Sequence, residues 1–113
     1  MLLTCDEIDD PQALRISCRI NGQVVQSDNT ANQIFPVARL IAELSRGMTL
    51  LAGDVILTGT PDGIGAARTP PVFLGEGDRI ESEIEGIGCM HNQVFGALSA
   101  ATPSNRIASL NRE

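Results

Sequence analysis

The amino-acid sequence predicts an α+β fold that is rich in β-structure and carries one packed helix. Apolar and polar residues alternate over positions 14–20 and again over positions 79–85, and a period of two is typical of strands with one buried face. Apolar residues recur at helical spacing over positions 37–48, which predicts an amphipathic helix. The order hairpin, helix, strand, loop, hairpin favours an α+β domain over a doubly wound sheet.

The first predicted hairpin turns at Asn21-Gly22, between the strand at 14–20 and a second run at 23–27. Both turn residues tolerate positive φ, as a type I′ turn requires. We interpret residues 28–32 as a polar connection to the helix.

The second predicted hairpin pairs residues 79–85 with residues 89–94. Its first strand places Glu81, Glu83 and Glu85 on one face, because alternate residues of a strand point the same way. Carboxylates suit hard cations such as Mg²⁺, but this face lies opposite the apolar one. We therefore interpret the three glutamates as unpaired charges on a solvated face.

The predicted helix begins near Pro36, whose missing N–H is harmless in a first turn, and Gly47 is placed to end it in a left-handed conformation. Its apolar stripe is expected to pack against the core. A short buried strand is expected over residues 55–57. With no Trp or Tyr and only 3 Phe, the core must depend on Ile, Val, Leu and Met.

Composition narrows the function classes. The 113 residues suggest one domain, and a net charge of −6 argues against nonspecific binding to nucleic acid or to anionic lipid. No apolar run approaches the ~20 residues needed to cross a membrane. The 3 cysteines lack C-x-x-C spacing, which indicates reduced thiols in a cytoplasmic protein. His91 is the only histidine, and we expect it at the surface or at a sheet edge.

The candidate binding feature is the loop Thr58-Gly59-Thr60-Pro61. Gly59 removes the side chain that would block a ligand, and Thr60 precedes proline, so its backbone is biased towards extended conformations. A hydroxyl on a restrained backbone can hydrogen-bond a carboxylate or carbonyl oxygen at little entropic cost. The alternative, a sharp corner that simply needs Gly and Pro, stays open.

Several segments, in order, resemble the fumarylacetoacetate hydrolase family. The stretch GDVILTGTPDGIG at 53–65 resembles its G-D-x-[IL]-x-T-G-T-P-x-G-[VI]-G motif. The resemblance covers about residues 4–95, and its other segments are TCDEIDDP at 4–11, NGQVVQ at 21–26, PPVFL at 70–74, GD at 77–78 and IEGIG at 84–88.

This resemblance implies the C-terminal portion of the family's catalytic domain, as in its 5-carboxymethyl-2-hydroxymuconate isomerase-type members, folded as a partial mixed β-sandwich roll over residues 1–96. Residues 97–113 are expected to form a disordered tail. The family implies hydrolysis, isomerisation or decarboxylation of small 2-oxo or β-diketo acids, often in aromatic catabolism, with Mg²⁺ or Mn²⁺ as a Lewis acid. The resemblance assigns substrate contact to Thr60, with Gly59 beside it.

The family's metal carboxylates, lid acid–base pair and active-site lysine lie upstream of the segment that matches residues 4–11. We therefore expect an N-terminally truncated chain with no catalytic or metal-binding residue of its own, incomplete as an enzyme. The sequence Glu81-Ser82-Glu83 has the E-x-E pattern of the family's metal ligands, but it follows the Thr58–Pro61 loop instead of preceding residues 4–11. We therefore assign no metal binding to it. The expected partners are a small oxo-acid and a second copy or a full-length relative, with no nucleic acid and no membrane. The alternative is a non-catalytic remnant or oligomerisation module.

Overall fold

The structure is a computed structural model that describes residues 2–96. Its strands are β1 Arg15–Ile20, β2 Gln23–Asn29, β3 Arg79–Ile84 and β4 Gly88–Gln93, its helix is α1 Val37–Ser45, and short 3₁₀ turns lie at Thr30–Asn32 and Gly65–Ala67. The strands form one sheet in the order β2-β1-β3-β4, and every neighbouring pair is antiparallel. The β-rich α+β class is confirmed.

The first hairpin forms where the sequence predicts it. Asn21 has φ 52° and Gly22 has φ 81°, the positive values that a type I′ turn needs. β2 continues beyond the predicted end, because Asp28 pairs with Ile16 and Asn29 with Arg15 of β1. The polar connection is thus shorter than expected.

The two hairpins meet along the β1–β3 seam. Ile16 lies opposite Ile84 and Ile20 lies opposite Ile80, and residues directly opposite each other share a face of the sheet. These four isoleucines define the apolar face of the sheet. The apolar residues of two segments that are distant in sequence therefore lie in register on one face of the sheet. This register determines the face against which the remaining segments pack.

A β-bulge interrupts the β1–β2 ladder. Cys18 pairs with Gln26, whereas the next residue, Arg19, pairs with Val24. Val25 is therefore the extra residue, and a bulge of this kind reverses the alternation of side chains along the strand. Gln26 accordingly joins Cys18 on the apolar face, while Val24 lies with Arg19 on the other.

The opposite face carries cross-strand ion pairs. Arg15 Nη2 lies 2.9 Å from Glu85 Oε1, and Arg19 Nη1 lies 3.2 Å from Glu83 Oε2. The expectation that these glutamates are unpaired was wrong, because β3 lies beside the arginines of β1 and not at the sheet edge. The face is nevertheless solvated, with the side chains of Glu83 and Glu85 50% and 43% exposed.

The helix begins directly after Pro36, as predicted, but it ends at Ser45. The left-handed end at Gly47 was wrong, since Gly47 is not among the residues with positive φ. The N–H groups of Gly47 and Met48 both donate to the Leu44 carbonyl at 3.2 Å. The last turn is therefore closed in a right-handed conformation.

The predicted strand at residues 55–57 was also wrong. This segment has no regular structure, and Val55 and Leu57 are 84% and 92% exposed. A strand needs a neighbour to complete its hydrogen-bond ladder, and within residues 2–96 all four strands pair among themselves. The segment therefore remains extended and unpaired.

The expected closed core does not form within the described residues, none of which is fully buried. The helical stripe stays partly open, with Ile41 44% and Met48 58% exposed. One sheet with one helix lacks the second layer that would cover both apolar surfaces. The predicted tail at 97–113 lies outside the described residues.

Candidate functional site

The Thr58–Pro61 loop lines a cleft of about 450 Å³ over the apolar face of the sheet. Ile16 and Ile84 form its floor, and Asp28 borders it. The remaining lining residues come from the end of β2, the turn after it and the loop itself: Asn29, Thr30, Asn32, Gln33, Ile34, Phe35, Gly59, Thr60 and Asp62. An apolar floor with a few polar groups at its rim is the common form of a small-molecule site.

The Thr60 hydroxyl is held by Gln26. Gln26 Nε2 donates to Thr60 Oγ1 at 3.0 Å and to the Pro61 carbonyl at 2.7 Å. A hydroxyl has one proton to donate besides the lone pairs that accept. Because Oγ1 already accepts from Gln26, that proton is directed elsewhere, and it forms no hydrogen bond with residues 2–96. Thr60 thus offers an O–H donor at the cleft.

Gly59 opens the space beside that donor. Its φ is +119°, and a Cβ built there would meet no atom of residues 2–96 within 4 Å. Such a φ is strained for any residue with a side chain. Within the described part of the chain, the N–H groups of Gly59 and Thr60 have no backbone or side-chain acceptor. The structure therefore places both predicted binding residues at the cleft.

The Thr58–Pro61 loop continues to Arg68, and we call residues 58–68 the Gly-rich loop. This loop is attached to the bulge in β2. Arg68 Nη2 donates to the Val25 carbonyl at 3.0 Å, and Arg68 Nε donates to the Gly63 carbonyl at 3.3 Å. Gly63 has φ +104° and lies so close to the Val25 carbonyl that a Cβ would clash with it. The bulge leaves the Val25 carbonyl turned away from the ladder, where the guanidinium satisfies it. This contact holds the loop over the apolar face.

Asp28 is a cleft residue that the sequence analysis missed. Its carboxylate accepts from Asn32 Nδ2 and from the Asn29 N–H, each at 2.7 Å. These hydrogen bonds, that of Asn32 foremost, lower the pKa of the Asp28 carboxyl. The group is therefore ionised at neutral pH. Ser27-Asp28-Asn29 looks like turn chemistry in sequence, and only the continuation of β2 places it beside the loop.

The described residues do not fit the carboxylate metal site that the family implies. Within residues 2–96 no three His, Cys, Asp or Glu side chains come together as a ligand set. Glu83 and Glu85 bind arginines, and Glu81 Oε1 lies 3.8 Å from Nδ1 of His91. That histidine is 69% exposed on β4, at the sheet edge. No cation-holding role for these residues follows from the geometry.

The glycine–threonine loop of the predicted motif is held over the apolar face of an antiparallel sheet. The model of the protein family described as "Fumarylacetoacetate (FAA) hydrolase C-terminal" matches residues 1–95. The chain belongs to the fumarylacetoacetate hydrolase family.

The similar proteins include enzymes whose names give small organic acids as substrates. The chain is 52% identical over 93 residues to the oxaloacetate tautomerase Fahd2a, mitochondrial, of Rattus norvegicus, covering 82% of this chain and 30% of that protein. The fumarylacetoacetate hydrolase of Exiguobacterium antarcticum is 47% identical with a TM-score of 0.80, covering 83% and 34%. Maleylpyruvate hydrolase of Sphingobium sp. SYK-6, in complex with manganese (II) and pyruvate, is 36% identical with a TM-score of 0.73, covering 83% and 33%. The chain thus spans about a third of the length of these relatives.

Proposed function

We propose that this chain supplies the substrate-binding wall of an enzyme that interconverts the enol and keto forms of a small 2-oxo dicarboxylic acid, with oxaloacetate as the first substrate to test. One observation carries the proposal: the Thr60 hydroxyl accepts from Gln26 at 3.0 Å, so its proton is available to a ligand in the cleft. The name of the rat relative and the pyruvate in the Sphingobium hydrolase support this substrate class.

The chemistry of the cleft favours such an anion. The Thr60 O–H and the N–H groups of Gly59 and Thr60 suit a carboxylate or an enolate oxygen, and bonds to charged acceptors are the stronger ones. The floor of Ile16 and Ile84 suits a short carbon chain. The ionised Asp28 repels both carboxylates of such a substrate, which favours a pose with one of them at the loop and the other directed away from Asp28.

We further propose that the divalent cation, Mg²⁺ or Mn²⁺, is held by carboxylates outside residues 2–96, and that residues 1–113 alone are catalytically incomplete. The arginine pairs of Glu83 and Glu85 support this, because a carboxylate committed to a guanidinium is a poor metal ligand. In this proposal the chain's own residues bind and orient the substrate and keep water off its apolar side.

A chimera tests the proposal. The matched 93-residue segment of the rat tautomerase is replaced by the corresponding segment of this chain, and oxaloacetate tautomerisation is followed by ultraviolet absorbance. We expect turnover, and Thr60→Val should lower kcat/KM by about 10- to 100-fold, as for the loss of a hydrogen bond to a charged group. Thr49→Val, at an exposed position outside the cleft, is the matched control.

Two outcomes would contradict the proposal. A folded, metal-loaded chimera without turnover would exclude the proposed role of the loop. Turnover of oxaloacetate by residues 1–113 alone with Mg²⁺ or Mn²⁺ would exclude the proposed incompleteness.

An association module is the second candidate, and exposed apolar surface favours it. Ile34, Val55, Leu57 and Phe73 are 88%, 84%, 92% and 76% exposed, and such surface commonly marks an interface. The partner would be a second copy or a full-length relative. Sedimentation should show concentration-dependent association that Val55→Glu weakens and Gln23→Glu does not. A monomer at every concentration would contradict this candidate.

The cytoplasmic location stays a prediction. The rat relative is named as a mitochondrial protein, so cell fractionation must compare both compartments. Within residues 2–96, no helix has the length and apolarity that crossing a membrane requires. The absence of a nucleic-acid partner also stays a prediction, and a gel-shift assay at low salt tests it.

A further inference from the structure

The bulge at Val25 decides which face Gln26 occupies. In a regular strand, residues 24 and 26 would share a face. Here Val24 lies opposite Arg19 and Gln26 lies opposite Cys18, which are neighbours on β1 and therefore point to opposite faces. The extra residue thus transfers the Gln26 side chain to the apolar face, where the Gly-rich loop lies.

The orientation of the Gln26 amide is determined by its two partners. Nε2 lies 2.7 Å from the Pro61 carbonyl and 3.0 Å from Thr60 Oγ1. If the amide were flipped, its oxygen would face the Pro61 carbonyl and two acceptors would meet, so the nitrogen must occupy this place. Both N–H groups are then used as donors, and Thr60 Oγ1 is obliged to accept.

We propose that Gln26 is a positioning residue, which fixes the Thr60 side chain and directs its hydroxyl proton into the cleft. The proposal rests on the proposed function of Thr60 as a donor to the substrate. Arg68 supports the arrangement, because its bonds to Val25 and Gly63 keep the loop within reach of β2.

The expected effect follows from rotamer counting. Thr60 χ1 and the hydroxyl torsion each have three staggered wells. If Gln26 selects one well of each, its removal lowers the binding-competent fraction to between about one third and one ninth. The dissociation constant of an oxo-acid anion then rises by about 3- to 9-fold.

The test uses residues 1–113 and five variants: Gln26→Met, Gln26→Glu, Thr60→Val, the double variant Gln26→Met/Thr60→Val and the control Gln23→Met, at an exposed glutamine of the same strand. Three-bond NMR couplings report the χ1 of Thr60, and pyruvate is titrated while the Gly59 and Thr60 amide resonances are followed. We expect a single χ1 rotamer in the wild type and in Gln23→Met, and averaging in Gln26→Met.

Gln26→Glu separates hydrogen-bond direction from simple packing. A carboxylate of the same size cannot donate to Thr60 Oγ1 and meets the Pro61 carbonyl as a second acceptor, so the Thr60 χ1 should average as in Gln26→Met, whereas a side chain that acts by packing alone would keep it single. Pyruvate binding should weaken more than in Gln26→Met, because the added negative charge repels the anion. In the Thr60→Val background, Gln26→Met should change the pyruvate affinity by less than 2-fold, because a residue that acts through the hydroxyl has nothing left to position.

The outcomes distinguish this inference from the proposed function. An unchanged χ1 distribution in Gln26→Met, or an undiminished effect of Gln26→Met on the affinity in the Thr60→Val background, would overturn the positioning role. Wild-type protein that shows one rotamer but no pyruvate-dependent shift at Gly59 or Thr60 would count against the proposed function and leave the rotamer result intact.

Discussion

Replacing Gly63 by alanine is expected to detach the Gly-rich loop from β2. Gly63 has φ +104°, and an added Cβ would clash with the Val25 carbonyl oxygen. Backbone strain alone costs about 1–3 kcal/mol for a residue with a side chain. The clash with the Val25 carbonyl adds to this free-energy cost, up to the point at which separation of the Gly-rich loop from β2 costs less. Release breaks the two bonds of Arg68 and the two of Gln26, which at about 1 kcal/mol each sets a ceiling near 4 kcal/mol.

Urea unfolding followed by circular dichroism should therefore show a loss of about 2–4 kcal/mol in the free energy of unfolding for Gly63→Ala. Gly59→Ala, at φ +119° with no atom within 4 Å, should cost the strain alone, about 1–3 kcal/mol. Gly47→Ala, with neither positive φ nor a close neighbour, should be neutral or stabilise by up to about 1 kcal/mol. Amide exchange should rise at residues 63–68 in Gly63→Ala only.

Unfolding of Gly63→Ala and Gly47→Ala at the same urea concentration would show that the close approach of Gly63 to the Val25 carbonyl contributes nothing to stability. Equal losses for Gly63→Ala and Gly59→Ala, without faster amide exchange at residues 63–68, would show that the Val25 carbonyl imposes no steric limit.

Three further predictions concern charge and anchoring. Hydrogen bonds from Asn32 and Asn21 lower the pKa of Asp28 and of Asp78 respectively. The two ionised carboxylates therefore contribute fully to the free energy of unfolding at neutral pH, and this contribution is lost as the pH falls through their lowered pKa values. Urea midpoints should be flat from about pH 7 to 5 and decline below about pH 4. Flat midpoints down to about pH 2 would contradict this prediction. Arg68→Ala should lower the free energy of unfolding by about 1–3 kcal/mol, with exchange rising at residues 63–68 but not in β1, whereas uniform changes would argue against a local anchor. Manganese titration of residues 1–113, followed by electron paramagnetic resonance, should show no stoichiometric tight site; a site with 1:1 occupancy would require a ligand set that residues 2–96 do not form.

The hairpins could be predicted from sequence because they depend on local rules. Alternation identifies the strands, and Asn21-Gly22 specifies its turn by φ preference alone. The helix start at Pro36 is equally local. The end of the helix does not follow from a local rule. The Leu44 carbonyl accepts from two following N–H groups, so no left-handed residue is needed to end the helix.

The features that were missed depend on distant partners. Residues 55–57 have strand-forming side chains, but within residues 2–96 no strand lies beside them to complete a ladder. The bulge at Val25 has no glycine to signal it, and its carbonyl is satisfied by Arg68, 43 positions later. Gln26 contacts Thr60 across 34 positions. The sequence could therefore indicate that Thr60 and Gly59 belong to a site, but not what holds the hydroxyl.

The β1–β3 seam has a consequence for the order in which the chain folds. Each hairpin joins neighbouring segments and can form in about 1–10 μs, whereas Ile20 must find Ile80 across a long intervening stretch. Closing that stretch costs entropy that grows with the logarithm of its length. We therefore expect the pairing of two preformed hairpins along β1 and β3 to be the rate-limiting step of folding. Shortening the link between them should accelerate folding more than it changes the rate of unfolding.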